Sequence, residues 1–249
     1  RGPLNVSRSP QGRPVYVQAG SSEDGRSFAA QFAEAIFTAH QTLASAQEFY
    51  SDIKTRAVAL GRRPDHLRVL PGISPFLGST EAEAKRLEQE IDDLIQPAAS
   101  LDQLKRMIGV DLGGYDLDGP VPRHIIDTNG PKGLASRFQL VVDIVDRENP
   151  TIRQLIRRLA GARGHRVVVG TPEHVANEIQ TWFEQGAADG FNVMPPYLTG
   201  SFDSFVAEVV PILRKRSLFR HEYSGTTLRD HYGLPRPESV FATQQRQSA

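Results

Sequence analysis

Short apolar runs alternate with amphipathic stretches over the first 95 residues of the chain. The runs at 14–20, 35–39 and 66–78 are apolar on both faces and predict buried β-strands. Each run leads into a stretch whose apolar residues recur every three or four positions, most clearly at 43–60, and this spacing predicts an amphipathic helix. The order strand, helix, strand, helix predicts parallel strands joined by crossover helices, and therefore an α/β fold.

The alternation stops between about residues 96 and 165. This segment contains a stretch rich in Gly, Pro and Asp, and it predicts only two helices, at about 134–147 and 151–161. A connection of this length in a compact domain is usually a lid or a substrate-facing excursion. We therefore expect a long helical insertion at about 96–165.

The alternation returns after the insertion with a well-delimited helix. Thr171 is the predicted N-cap, Pro172 occupies the first helical position and Gly186 ends the helix. Trp182 and Phe183 fall on its apolar face, so we expect both side chains to pack in the core.

A fourth strand is predicted at 191–195, and a last helix at 201–216 contains Pro211, which should kink or shorten it. Four strands with their helices amount to half of an eight-stranded barrel or to a small open sheet. We expect one folded unit over residues 1–237 and a disordered tail over 238–249.

Composition narrows the class of protein. Lys plus Arg and Asp plus Glu both number 29, and a balanced charge argues against nucleic acid as the main partner. The chain has no cysteine, which excludes disulfides and thiol nucleophiles and is compatible with a cytoplasmic protein. No apolar run approaches the roughly 18 residues that would cross a bilayer, so no membrane partner is expected. The turn-rich start at 1–14 lacks a signal peptide and reads as the middle of a longer protein.

One stretch of small and hydroxyl residues separates the first strand from the first helix. Ala19, Gly20, Ser21 and Ser22 occupy it. Free amide groups and the positive end of the helix dipole favour an anion there, and Gly20 allows a close approach to the backbone. The two serine hydroxyls can donate hydrogen bonds to a phosphate. The alternative is that Ser22 only caps the helix, and spacing alone leaves both interpretations open.

Other candidate residues carry weaker signals. None of the seven histidines shows the spacing of zinc ligands, so no metal site is predicted. His40 follows the second strand and either faces a pocket or begins the next helix, the interpretation we prefer, and His124 is expected in an exposed loop. The aspartates of 115–120 indicate a turn, and the basic stretch 153–166 indicates a solvated helix face rather than an RNA or lipid surface. No catalytic residue is assigned.

Four segments, in order along the chain, resemble the bacterial-luciferase-like flavin monooxygenases. The most similar group is that of nitrilotriacetate monooxygenase component A, with its dibenzothiophene-sulfone and long-chain alkane relatives. The segments lie at 2–39, 114–122, 169–196 and 218–237 and include GPLNVSRSPQGRPVYVQAGSSEDG, GYDLDGPVP, VGTPEHVANEIQTWFEQGAADGFNVMPP and LFRHEYSGTTLRDHYGLPRP.

This resemblance implies a TIM-type (β/α)8 barrel with inserted loops, of which the chain would hold strands five to eight. It also implies a two-component monooxygenase, in which a separate flavin reductase supplies reduced FMN that reacts with oxygen. A small organic substrate would then be oxygenated. By the same resemblance, the phosphate of FMN would lie at Ala19, Gly20, Ser21 and Ser22.

A second interpretation follows from the missing half of such a barrel. The chain would be a non-catalytic half-barrel whose open apolar edges are covered by another polypeptide. Self-association into a homo-oligomer, or assembly with a separate N-terminal chain, would provide that cover.

Overall fold

The computed structural model of the chain describes residues 6–124, 135–162 and 164–239. Five strands occur in this part of the chain: β1 (Val17–Gln18), β2 (Ala35–Thr38), β3 (Arg68–Leu77), β4 (Arg166–Gly170) and β5 (Asn192–Val193). Every pairing between them is parallel. The predicted α/β fold with a parallel sheet is therefore confirmed.

The long strand β3 organises the sheet. β2 pairs with Arg68–Pro71, β5 with Gly72–Ile73 and β4 with Ile73–Leu77, while β1 pairs with the other side of β2. Because all strands are parallel, their carboxyl ends meet at one edge, where ligands bind in α/β proteins. The assignment of these strands to one half of an eight-stranded barrel stays a prediction.

The predicted count of four strands is wrong, because β4 was missed. Its valines at 167–169 lie directly between the insertion and the N-cap Thr171, so no turn residues separate the strand from the following helix. The first and last strands are also shorter than expected, since only two residues of each form ladder pairs.

The longer helices follow the predicted periodicity. They are α1 (Glu23–Phe32), α2 (Leu43–Ala59), α3 (Glu81–Asp93), α4 (Pro97–Ile108), α5 (Ala135–Glu148), α6 (Ile152–Ala162) and α7 (Pro172–Glu184). Four of them begin at a hydroxyl N-cap that accepts a hydrogen bond from the backbone N–H three residues on: Ser22, Thr42, Thr80 and Thr171. The helix α4 was not predicted, although Pro97 begins it and Gly109, in the left-handed conformation, ends it.

Several groups of buried apolar residues hold these helices, and two of them bear on the site. The first joins α1 and α2 to the sheet through Ala29, Ala30, Ile36, Phe49, Ile53 and Val69. The second lies inside the insertion, where α4, α5 and α6 pack together through residues that include Leu104, Val141, Ile144, Ile152 and Leu155. The arginines of α6 point away from that core, and Arg153 forms an ion pair with Asp118 at 2.7 Å.

The last helical segment consists of α8 (Gly200–Ser204), a π-helical turn (Phe205–Val209) and α9 (Val210–Lys215), and a short α10 (Leu228–His231) follows. Pro211 has no N–H to donate to the preceding turn, and the wide turn directly before it accommodates this loss. None of the helices in the described ranges is long and apolar enough to span a membrane. Within the predicted insertion, residues 125–134 lie outside the described residues, as do residues 240–249 of the predicted tail at 238–249.

Candidate functional site

A cavity of about 410 Å³ lies at the carboxyl edge of β1 and β2. It is lined by Gln18, Ala19, Gly20, Ser21, Ser22, Gly25, Phe37, Thr38, Ala39, Leu140 and His165. All four residues of the predicted anion site therefore lie in its wall, together with Leu140 from the insertion helix α5. A cavity of this size falls within the usual range for small-molecule sites, about 300–1,000 Å³.

The N-terminus of α1 points into this wall. Ser22 has extended backbone angles, and its Oγ accepts a hydrogen bond from the N–H of Gly25 at 3.2 Å. The hydroxyl hydrogen of Ser22 can still be donated to a ligand, because the capping bond uses only the oxygen as acceptor. Capping and anion binding by Ser22 are therefore compatible.

Arg26 fixes the loop that precedes α1. Its Nε donates to the carbonyl oxygen of Ser21 at 3.0 Å, and its Nη1 donates to Asp52 at 2.9 Å. The guanidinium also lies 5.0 Å from the centre of the Phe49 ring. Burial alone would raise the pKa of Asp52, but hydrogen bonds from Arg56 and Arg26 outweigh it and lower that pKa. Asp52 thus holds the Arg26 side chain beside the loop.

Two glycines let this loop fold closely over the first turn of α1. A Cβ atom on Gly25 would lie 3.1 Å from Ser22 Oγ and 3.2 Å from the backbone of Gly20. A Cβ atom on Gly20 would lie 2.8 Å from Nε2 of Gln18, so the amide of Gln18 occupies space that a larger residue at position 20 would need. The small residues of the stretch therefore serve packing as well as ligand access.

Two buried oxygens in the cavity wall are unsatisfied. Thr38 is 2% exposed, and its Oγ1 has no hydrogen-bond partner among the described residues. Oε1 of Gln18 is likewise buried and without a partner in these parts of the chain. An unpaired buried polar group costs about 1–3 kcal/mol, so such atoms mark places where a ligand or water is expected to bind.

Gln18, Thr38 and Arg26 were not predicted from the sequence as site residues. Only their positions in the predicted elements could have indicated them. Gln18 and Thr38 are the last residues of two neighbouring parallel strands, and Arg26 lies in the first helix.

Two histidines lie near the same carboxyl edge of the sheet. His165 lines the cavity and stacks on Phe37, with ring centres 4.7 Å apart and planes 7° from parallel. His40 lies before α2, whose N-cap is Thr42, so its preferred placement as the first residue of that helix is wrong. Burial, with smaller contributions from Arg26 and His165, lowers the pKa of His40 to about 4. His40 is therefore neutral at neutral pH.

The remaining candidates lie away from the cavity. His124 is exposed at the end of a described range, and Asp116 forms a turn by accepting from the N–H of Asp118 at 3.0 Å. Trp182 is buried as predicted, but Phe183 is 47% exposed, and its assignment to the core is wrong. The two neighbours project at different angles from the helix, and only Trp182 faces the sheet layer, where it contacts Phe191.

The parallel sheet and its helices define an α/β protein with a cavity at the carboxyl edge of the sheet, and comparison with known proteins gives its family. The sequence profile of the luciferase-like monooxygenases matches residues 1–189. The chain belongs to this luciferase-like monooxygenase family.

Individual relatives agree with the family assignment. N-acetyl-S-(2-succino)cysteine monooxygenase of Bacillus subtilis is 49% identical over 97% of this chain and 55% of its own length. Nitrilotriacetate monooxygenase component A of Aminobacter aminovorans is 48% identical over 97% of this chain and 53% of its own length. The chain therefore spans about half the length of these relatives.

A solved structure adds a ligand-bound comparison. The crystal structure of a riboflavin lyase, with modified FMN and riboflavin as substrate, superposes with a TM-score of 0.77. It is 31% identical to the chain, and the match covers 92% of this chain and 49% of that protein.

Proposed function

We propose that the chain is part of a two-component, FMN-dependent monooxygenase and that it supplies the phosphate-binding end of the flavin site. The observation that carries this proposal is the cavity at the N-terminus of α1, which is lined by the loop Ala19–Ser22 and by Thr38, whose buried hydroxyl has no hydrogen-bond partner in the described parts of the chain. A helix N-terminus, a glycine and two serines form a setting that suits a phosphate monoester.

Each residue of the loop has a distinct role in this proposal. The amides of Ala19 and Gly20 and the hydroxyls of Ser21 and Ser22 donate to phosphate oxygens, and the dipole of α1 stabilises the negative charge. Arg26 does not need to touch the phosphate, because its bond to the Ser21 carbonyl already orients the loop. Reduced FMN, when bound, supplies the electrons for the reaction with oxygen, and the protein binds and orients it and excludes water.

The relatives support the flavin and the second component. A riboflavin lyase of similar fold holds a modified FMN, and one relative is named as component A of its monooxygenase. We infer that a flavin reductase delivers reduced FMN to this protein in the cytoplasm and that the substrate is a small organic molecule. Much of the substrate pocket would belong to the half of the relatives' length that this chain does not span.

A second candidate function rests on the exposed apolar surface. Beside the edge strand β1, Val17 is 63% exposed, Phe28 56% and Phe32 47%. Phe202 and Val206, beyond the last strand β5, are also exposed. These faces favour cover by another polypeptide, either a second copy of the chain or a separate N-terminal half, and a fragment that functions only in such an assembly is the alternative.

The test is a fluorescence titration of the 249-residue chain with FMN, in wild type and in Ser22→Ala and Ser22→Asp. We expect Ser22→Ala to weaken binding by about 1 kcal/mol, the size of one hydrogen bond. Ser22→Asp keeps a capping oxygen but places a carboxylate against the phosphate, so binding should be lost without loss of stability.

The matched control is Thr171→Ala, which removes an equivalent cap from α7 outside the cavity. It should cost about as much stability as Ser22→Ala and leave FMN affinity unchanged. FMN binding that is insensitive to both substitutions of Ser22 would contradict the proposed phosphate site.

A further inference from the structure

We propose that Glu88 and Asp92 make the packing of the helical insertion on α3 dependent on pH. The insertion lies closer to α3 when the two carboxyl groups are protonated than when they are charged. Both residues line a second cavity, which shares no lining residue with the candidate flavin site. The inference concerns the contact between the insertion and α3, and it does not require the proposed function.

The second cavity lies between two parts of the fold and has a volume of about 400 Å³. On one side, α3 packs on the sheet at β3 and β4. On the other side, the helices α4, α5 and α6 of the insertion pack around their own apolar core. The strands β3 and β4 contribute only Phe76 and Val167 to the lining, and neither titrates. The charged side chains of the lining come from the helices: Glu88, Asp92, Glu148, Arg157 and Arg158.

The two carboxyl groups of α3 face this cavity together. Glu88 and Asp92 are four residues apart and therefore lie on the same face of the helix, where like charges destabilise each other. Both residues are partly buried. Neither side chain forms an ion pair or accepts a hydrogen bond within the described ranges of the chain. The packing of the insertion on α3 therefore encloses two acidic groups that have no direct partner there.

The cations that line the cavity are bound to other carboxylates. Nη2 of Arg157 donates to Oδ1 of Asp93 at 3.3 Å, on the neighbouring position of α3. Nη2 of Arg158 donates to Oε1 of Glu148 at 3.2 Å, inside the insertion. Glu148 also accepts from Arg147 at 2.6 Å. These ion pairs hold the two arginines close to the acidic pair without neutralising it.

The balance of burial and charge favours the protonated form of both groups. Burial raises the pKa of Glu88, and the charge of Asp92 raises it further. Arg158 and Lys85 lower the pKa of Glu88 by a smaller amount. Burial likewise raises the pKa of Asp92 and outweighs the attraction of Arg157. Both groups therefore take up protons at a higher pH than exposed carboxyl groups do.

This balance couples the protonation of the pair to the packing of the insertion. Uncharged carboxyl groups can be enclosed at little cost, whereas carboxylates require water around them. An acid whose pKa is raised by folding destabilises the packed form as pH rises from its unfolded-state pKa, about 3.9 for Asp and 4.3 for Glu, through the higher folded-state pKa. The insertion also carries Leu140, which lines the 410 Å³ cavity, so its displacement reaches the candidate site.

The experiment measures the distance between α3 and the insertion by pulsed electron paramagnetic resonance, between about pH 4.5 and neutral pH. Because the chain has no cysteine, Ala82→Cys and Gln103→Cys together provide two unique positions for spin labels. Both positions are exposed, one on α3 and the other on α4. The measurement uses the 249-residue chain without any ligand.

The labelled chain is compared with a variant that also carries Glu88→Gln and Asp92→Asn. These substitutions remove both charges and keep the shape of the side chains. The matched control carries Glu81→Gln and Glu90→Gln, which replace two exposed carboxylates of α3 that do not line the cavity.

We expect the mean label distance of the chain without these charge substitutions to increase by about 1–2 Å as pH rises to neutrality, the size of helix shifts at packed interfaces. The midpoint should lie above about pH 4.3, because the pKa of both groups is raised. In the variant with Glu88→Gln and Asp92→Asn, the shorter distance should persist at every pH. The control should respond to pH like the unsubstituted chain.

Urea denaturation of the unlabelled chain gives an independent readout of the same charges. At neutral pH, Glu88→Gln with Asp92→Asn should raise the urea concentration at the unfolding midpoint, because it removes two buried charges that oppose folding. This increase should become smaller as pH falls toward the unfolded-state pKa values of the two groups. A lower midpoint for this variant at neutral pH would show that the charges stabilise the contact, which contradicts the proposal.

The distance measurement decides whether the insertion moves. A label distance that does not change with pH overturns the proposal, even if the urea midpoints show that the buried charges oppose folding. A pH-dependent distance that persists in the variant with Glu88→Gln and Asp92→Asn also overturns it, because other groups would then be responsible. Since no flavin is present, none of these outcomes bears on the proposed phosphate site.

Discussion

At the scale of single residues, the site depends on side chains that hold the loop as well as on those that face the cavity. Ser21 and Ser22 could reach a ligand only in the conformation that Arg26 and the two glycines impose. In the proposed phosphate site, Ser21 and Ser22 donate to the phosphate and Arg26 positions them, so a substitution of Arg26 tests the geometry of the loop.

Replacing Arg26 by methionine keeps the aliphatic stem and removes the bonds to the Ser21 carbonyl and to Asp52. We expect FMN affinity to fall by about 1–2 kcal/mol, since a loop that is no longer oriented loses part of its hydrogen bonding to the phosphate. Fluorescence titration measures the effect. Arg86→Met, which removes an exposed pair with Glu90 on α3, is the control and should bind like wild type. Unchanged affinity in Arg26→Met would show that the loop does not need this anchor.

Some residues of the candidate site could be predicted from the sequence, and others could not. The serines could be selected from the sequence because a strand, a glycine and two hydroxyls before a helix form a local pattern. Gln18 and Thr38 could not be selected in this way. Their position in the wall of one cavity depends on the register of β1 with β2, and a hydroxyl without a hydrogen-bond partner becomes apparent only when its neighbours are known. His40 was misassigned because Thr42, two residues later, is the better N-cap.

At the scale of elements, a buried ion pair joins the segment around α10 to Glu34, the residue directly before β2. Arg229, 1% exposed, donates to both carboxylate oxygens of Glu34 at 2.6 and 2.9 Å. Arg229 also donates to the carbonyl oxygens of Arg13 and Pro14, directly before β1. Burial alone would raise the pKa of Glu34, but hydrogen bonds from Arg229 and from the N–H of Tyr16 outweigh it and lower that pKa.

This pair should give the stability of the protein a defined dependence on pH. A carboxylate whose pKa is lowered by folding stabilises the fold above its unfolded-state pKa, about 4.3 for Glu, and this contribution is lost as pH falls through the lower folded-state pKa. Replacing Arg229 by methionine leaves Glu34 buried without its main partner. We expect the free energy of unfolding of Arg229→Met to be about 3–5 kcal/mol lower than that of wild type at neutral pH.

Urea denaturation between neutral pH and pH 3 measures this effect. The difference in free energy of unfolding between wild type and Arg229→Met should decrease as pH falls. Protonation of Glu34 removes the unpaired buried charge in the variant and weakens the ion pair in wild type. Arg63→Met, in an exposed pair with Asp65, should change stability by less than about 1 kcal/mol at any pH. A difference for Arg229→Met that stays constant with pH would contradict the role of the ion pair.

The elements themselves were predicted unevenly. Helices with clear caps, such as α2 and α7, lie within a few residues of their predicted bounds because capping and periodicity are local properties. β4 was missed because it adjoins a helix without a turn, and α4 was missed because only two helices, at about 134–147 and 151–161, were predicted in the insertion. The insertion instead builds its own apolar core, which depends on contacts between helices far apart in sequence.

At the scale of the whole molecule, the sheet brings the candidate site together from three parts of the chain. β1 and α1 contribute the loop, β2 contributes Thr38, and His165 and Leu140 come from the insertion and its end. The same sheet leaves apolar side chains exposed beside β1 and beyond β5. The chain also spans about half the length of the relatives described above.

In the proposed function, this chain binds flavin through the phosphate group. The most direct measurement compares the dissociation constants of FMN and riboflavin for the 249-residue chain under identical conditions, since the two ligands differ only in that phosphate. A phosphate held by several hydrogen bonds at a helix N-terminus should make FMN bind at least about tenfold more tightly than riboflavin. Equal affinities, or binding of neither ligand to the folded chain, would contradict the account.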